Sequence, residues 1–104
     1  MTTRIAYSTD TDGGALARVR FSIRGQMDGP GYLAFVAERA RWLDLSGWAA
    51  AEAPGRVVVV AAGPEALVGA LEMACTLGPL DAVIERIEIS SEPGPPGNGF
   101  AIRA

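Results

Sequence analysis

The feature that most constrains this chain is a change of hydrophobic period across a short glycine-rich interruption. From Ala15 onward the apolar residues recur at every second position. Ala17, Val19, Phe21 and Ile23 point one way, while Arg18, Arg20, Ser22 and Arg24 point the other. Such alternation describes a strand with one buried face and one polar, open face. Gly25-Gln26-Met27-Asp28-Gly29-Pro30-Gly31 follows, with three glycines and one proline in seven residues. That composition predicts a loop in backbone conformations that side chains forbid. The period then becomes helical: Tyr32, Phe35, Val36, Arg39, Ala40 and Leu43 share one stripe. Only the aliphatic stem of Arg39 would lie along it.

The remaining punctuation completes an order of elements. Leu45–Ala51 ends in alanines with helical propensity, but Ser46-Gly47-Trp48 and the turn residues Pro54-Gly55 favour a strand entering a hairpin. Val57–Val60 is a β-branched run and the clearest strand. Gly63-Pro64-Glu65 opens a second helix, with Leu67, Ala70, Leu71, Ala74 and Cys75 on its apolar side and Gly78-Pro79 closing it. Ala82–Ser90 reads as another strand. Pro93–Gly99 is a Pro/Gly loop before a short edge strand, Phe100–Arg103. The order is β-α-β-β-α-β with a short extra C-terminal strand. This predicts an α+β, ferredoxin-like βαββαβ sandwich, with two helices on one face of an antiparallel sheet and the other face open.

At 104 residues and 10.8 kDa the chain has the length of one domain. Residues 1–14 are expected to be a flexible N-terminal leader, with a short extended piece at Ile5–Tyr7, and residues 15–104 the domain. Asp10-Thr11-Asp12-Gly13 is like the start of a calcium loop but lacks the later ligands and distal Glu, so a solvated tail is the plainer reading. With no His, no Lys and one Cys, histidine-based triads, Schiff-base lysines, zinc spacings and disulfide frameworks are excluded. A net charge of −3 argues against a general nucleic-acid footprint. No apolar run is long enough to span a membrane, and Met1–Gly14 lacks a signal peptide's apolar region, so a cytoplasmic location is expected.

A glycine-rich loop between a strand and a helix is a natural anion cradle, because backbone N–H groups converge there and the helix N-terminus adds positive charge. Here the candidate anion or ligand loop is Asp28, Gly29, Pro30, Gly31, Tyr32 and Leu33. On residue pattern alone, the same glycines serve equally well to turn the chain. Gly29–Val36 resembles the acylphosphatase signature V-Q-G-V-G-F-R-x-F-V, and the likeness continues in register. Leu43–Trp48 is similar to L-G-L-x-G-W, Gly55-Arg56-Val57 to the hairpin G-x-V, and Gly63-Pro64 to the G-P that starts the second helix. Gly78–Val83 is similar to G-P-x-A-x-V, and Phe100–Arg103 to the terminal strand. The resemblance spans Val19–Arg103.

That resemblance implies hydrolysis of the carboxyl–phosphate bond of acyl phosphates without metal or cofactor. It implies that loop N–H groups and one arginine hold the phosphate, and that an asparagine orients the attacking water. The arginine position is Leu33 here, and the asparagine position is Ala51. One transition-state arginine is worth roughly 10³–10⁵ in rate, and a preorganised donor about 2.7–4 kcal/mol. Pro30 also removes an N–H, and Asp28 sets a carboxylate where the family has Gln. The expectation is therefore an acylphosphatase-like domain without catalytic activity, binding an unknown protein or small ligand. The alternative is an acylphosphatase with a non-standard site.

Arg24 and Arg103 are the cations that could approach the loop in compensation, although surface ion pairs suit them better. Arg18, Arg20 and Arg24 share the open face without exposed aromatics on their strand, so cross-strand pairs with the Arg86 and Glu88 strand are preferred to RNA. Val58 and Val60 alternate with Val57 and Val59, so one pair should face the open side. They could form an interaction surface, including a homodimer contact, or be ordinary scattered valines. Trp42 and Trp48 are expected in core or rim packing, Cys75 as a small buried hydrophobe, and Tyr32 as a packed ring.

Overall fold

The two periods read in the sequence become five strands and two helices in a computed structural model that describes residues 15–94 and 97–103. The expected leader, its Ile5–Tyr7 piece and Asp10–Gly13 lie outside the described residues. In chain order the elements are β1 (Leu16–Gln26), α1 (Gly29–Trp42), β2 (Ser46–Ala53), β3 (Arg56–Pro64), α2 (Glu65–Leu77), β4 (Val83–Ser91) and β5 (Phe100–Arg103). The sheet order is β4-β1-β3-β2-β5. The first four strands are antiparallel neighbours, whereas β5 runs parallel to β2 at the edge. The sheet is therefore mixed, because the Pro/Gly loop carries the chain back to the far edge before β5 begins. Among the described residues no helix is long and apolar enough to cross a membrane.

The core fills the space between the helices and one sheet face. Phe21 and Ile23 of β1, Val57 and Val59 of β3, and Ala49 of β2 meet Val36 and Ala40 of α1 and Leu71 and Cys75 of α2. Each large aliphatic or aromatic side chain removed from water there contributes about 1.5–3 kcal/mol. The α1 stripe is rotated from the expected one. Tyr32, Leu33, Val36, Ala37 and Ala40 are buried, while Arg39 is exposed with its guanidinium 5.2 Å from the centroid of Phe35. Positions 33 and 37 lie beside 36 and 40 on a helix, and the small Ala37 lets that side meet the sheet closely. In α2, Val68 is buried and Ala70 exposed. Trp42 is 79% exposed at the end of α1, neither core nor rim, whereas Trp48 is half-buried.

The second sheet face also differs from expectation. Val58 and Val60 do lie on it, but they are 4% and 0% exposed and offer no apolar patch. Their cover comes from long side chains on neighbouring strands. The Arg20 and Arg103 guanidinium groups lie 5.9 Å and 4.3 Å from the Trp48 ring centroid, and Arg20 Nε is 4.0 Å from Glu92. Trp48 and Arg20 are the direct register neighbours of Val60, so stem and ring close over it, while Val58 lies between Ser22 and Ala50.

Candidate functional site

The segment Asp28–Leu33 is where β1 hands the chain to α1, and its chemistry depends on what already engages its donors. The helix begins at Gly29, earlier than the expected loop allows, and Asp28 is its N-cap in an extended conformation. The Asp28 Oδ2 accepts a hydrogen bond from Gly31 N–H at 2.9 Å. The Asp28 carbonyl accepts another from Tyr32 N–H at 2.8 Å. Pro30 lies in the first turn and brings no N–H. An N-cap carboxylate satisfies an otherwise unpaired donor and places negative charge at the positive helix end. A bound oxyanion at a helix N-terminus would do both of those things. The candidate cradle is thus closed by the chain's own anion.

The glycines take a different part from the one expected. None of Gly25, Gly29 and Gly31 has a positive φ, so backbone freedom is not their purpose. Gly31 is needed for space: a Cβ there would stand 2.5 Å from Asp28 Oδ2. A Cβ at Gly25 would collide with the Val83 carbonyl of β4.

Leu33 is 7% exposed and packs into the hydrophobic core. Ala51 lies exposed on β2, and a Cβ built on Gly29 would be 3.9 Å from the Ala51 Cβ. The fold therefore still brings the loop against position 51. Between them is an open cleft of about 350 Å3, lined by Met27, Asp28, Gly29, Ala51, Glu52 and Gly55 among others. Its lining holds two carboxylates, Asp28 and Glu52, and no arginine. Residue pattern gave no sign of Glu52, which enters the cleft because a register shift between Ala51 and Ala53 lifts it out of the β2–β3 ladder.

The two proposed compensating cations do not line this cleft. Arg24 lines a neighbouring depression with Arg56 and Arg86, which shares Glu52 and Val57 with the cleft but none of the Asp28–Leu33 residues. Arg103 stacks on Trp48. The expected cross-strand pairing is met only by Arg20, 4.0 Å from Glu92 just beyond β4. Arg86 pairs with Glu88 two residues along its own strand, at 2.6 Å. Both direct neighbours of Arg24 across the sheet are arginines, Arg56 and Arg86.

Tyr32 is committed to structure. Its hydroxyl donates to the Cys75 carbonyl at 2.7 Å. Four residues after Cys75 stands Pro79, which has no N–H to offer that carbonyl, so the phenol satisfies an acceptor left over at the end of α2. Burial, with the nearby Cys75 adding to it, raises the Tyr32 hydroxyl pKa above its ordinary range. Burial also pushes the Cys75 thiol up to about 12, against a smaller lowering by the Tyr32 hydrogen bond. Cys75 is a packed hydrophobe, as its place on the helix suggested.

Comparison with known proteins agrees with the six landmarks noted in the sequence. The model of the acylphosphatase family matches residues 19–102. An acylphosphatase of Azorhizobium caulinodans is 40% identical over 83 residues, covering 79% of this chain and 89% of that protein. One of Rhodospirillum rubrum is 34% identical over 79 residues, covering 76% and 87%. The crystal structure of the acylphosphatase from Bacillus subtilis superposes with a TM-score of 0.77 at 26% identity, covering 86% of this chain and all of that one.

Proposed function

The chain belongs to the acylphosphatase family, and from that premise we propose that it uses the family's fold as a cytoplasmic binding or interaction domain that does not hydrolyse acyl phosphates. One observation carries this reading: the Asp28 carboxylate holds Gly31 N–H at the point where the resemblance places a phosphate. Leu33, Ala51 and Pro30 point the same way, since each lacks a group that would hold the phosphate or its attacking water. A cleft lined by Asp28 and Glu52 without an arginine repels an oxyanion. The occupant in this reading is a protein or a small ligand that does not need the loop's N–H groups.

A second reading is an acylphosphatase with a non-standard site. The relatives favour it over the first, because the similar proteins are themselves called acylphosphatases. The residues at positions 28, 30, 33 and 51 favour the first. A restoration experiment separates the two. The triple variant Asp28→Gln, Leu33→Arg, Ala51→Asn is compared with the unmodified protein for hydrolysis of an aryl acyl phosphate. The first reading expects turnover only in the variant. Turnover by the unmodified chain that the variant does not exceed sinks it and supports the second.

A further inference from the structure

We propose that the sheet face opposite the helices carries a binding site for a phosphate dianion, centred on Arg24, Arg56 and Arg86. The site rests on strand register. Arg24 in β1 stands directly opposite Arg56 in β3 on one side and Arg86 in β4 on the other. Three guanidinium groups therefore cross three adjacent strands in a single row. Directly opposed residues in a sheet have Cβ atoms about 4.5–5.5 Å apart, and like charges at such positions are destabilising. An apo structure keeps such a row at a cost, unless a counter-charge is supplied from outside the fold.

The fold supplies that counter-charge unevenly. Arg86 has Glu88, in a pair whose side chains are 67% and 62% exposed. Among the described residues neither the Arg24 nor the Arg56 guanidinium has a hydrogen bond or ion pair. The shortage continues along the face, where Arg18 Nε and Arg20 Nη1 are buried without a hydrogen-bond partner among the described residues. Six of the nine cations of this net-negative chain, Arg18, Arg20, Arg24, Arg56, Arg86 and Arg103, occupy this face.

The shape fits a small anion. The row borders an open depression of about 300 Å3 whose lining includes Ser22 beside Arg24 and the buried Val58. Guanidinium groups present parallel N–H donors that match two oxygens of a phosphate, and Ser22 adds a hydroxyl donor. Glu52 and Glu88 also line the depression, so three guanidinium groups stand against two carboxylates and the lining keeps one net positive charge. That balance suits a small dianion better than a long polyanion. The chemistry is the same for free orthophosphate and for the phosphate of a monoester, and binding here needs none of the groups of the Asp28–Leu33 loop.

The test is a residue-resolved NMR titration of the full chain at low ionic strength, with orthophosphate in one arm and phenyl phosphate in the other. Binding is expected to move the Ser22, Arg24 and Arg56 signals while leaving Gly29 and Gly31 in place. Equal affinities would assign recognition to the phosphate group itself, and tighter phenyl phosphate binding would assign it to a monoester; either supports the site. Arg24→Gln and Arg56→Gln should each weaken binding by about 10- to 100-fold, whereas Arg39→Gln on α1 should change it less than twofold. In phosphate-free buffer Arg24→Gln should also raise the melting temperature, because it relieves the row. The proposal is overturned if no signals on this face respond. It is equally overturned if Arg39→Gln weakens binding as much as Arg24→Gln, which would mark a diffuse surface-charge effect.

Discussion

Replacing Asp28 separates its two roles at the start of α1, as a hydrogen-bond acceptor and as a charge. Asp28→Ala removes the Oδ2 acceptor from Gly31 N–H but leaves the Asp28 carbonyl to hold Tyr32 N–H. Loss of an N-cap side chain costs about 1 kcal/mol, within a range of about 0.5–2. For a domain of this size that corresponds to a fall in melting temperature of about 4–8 °C. Asparagine caps as well as aspartate, so Asp28→Asn should lose only the charge–dipole part, about 0.3–1 kcal/mol. The two variants therefore rank in a fixed order in thermal unfolding followed by circular dichroism, with the unmodified chain highest and Asp28→Ala lowest. The same substitutions act on the cradle. A unit charge about 4 Å from another costs about 1 kcal/mol in water, so Asp28→Asn should strengthen any phosphate contact at Gly29 and Gly31 several-fold. If Asp28→Ala melts with the unmodified protein, the carboxylate does not cap the helix and the closed-cradle argument fails.

Three further outcomes follow from the packing. Tyr32→Phe removes the hydroxyl that the Cys75 carbonyl accepts from and should cost about 1–3 kcal/mol in urea unfolding; an unchanged midpoint would show that another group satisfies it. Stability should fall as pH rises above about 9, the ordinary value for a thiol, towards the raised value of about 12, with Tyr32 contributing in the same direction. In that window the unfolded chain releases the Cys75 proton while the folded chain keeps it, so deprotonation favours unfolding; a flat alkaline profile in Cys75 and its alanine variant alike would contradict this. Leu33→Arg alone, at a position 7% exposed, should destabilise by about 2–5 kcal/mol, whereas exposed Ala51→Asn should stay within about 0.5 kcal/mol. Differential scanning calorimetry of the two single variants reads the contrast directly.

The architecture was legible because its signals are local. Alternation at Ala17–Ile23, the valine run and the Gly-Pro starts and stops each depend on a few adjacent residues, and each became the element expected. What escaped depends on the meeting of distant strands. Val60 is flanked by Arg20 and Trp48, and Val58 by Ser22 and Ala50, all from two other strands. The row of Arg24, Arg56 and Arg86 exists only through a two-sided register that no single segment encodes. The Asp28 cap is an intermediate case. An Asp directly before Gly-Pro at a helix start is a capping signal in its own right, although the same residue also reads as a charge beside the loop. The phase of α1 differs from the one the stripe suggests, since the helix from Gly29 turns Leu33 and Ala37 towards the sheet and leaves Arg39 outside. The burial of Leu33 in the core depends on that phase and is not visible in the residue pattern alone.

Hydrolysis of an aryl acyl phosphate by the purified, unmodified chain, measured against the spontaneous rate in the same buffer, is the most direct test. A closed cradle without an arginine at 33 or an asparagine at 51 predicts release of phosphate no faster than in buffer alone. Release well above that rate, abolished by a single substitution at Asp28 or Glu52, would contradict the account.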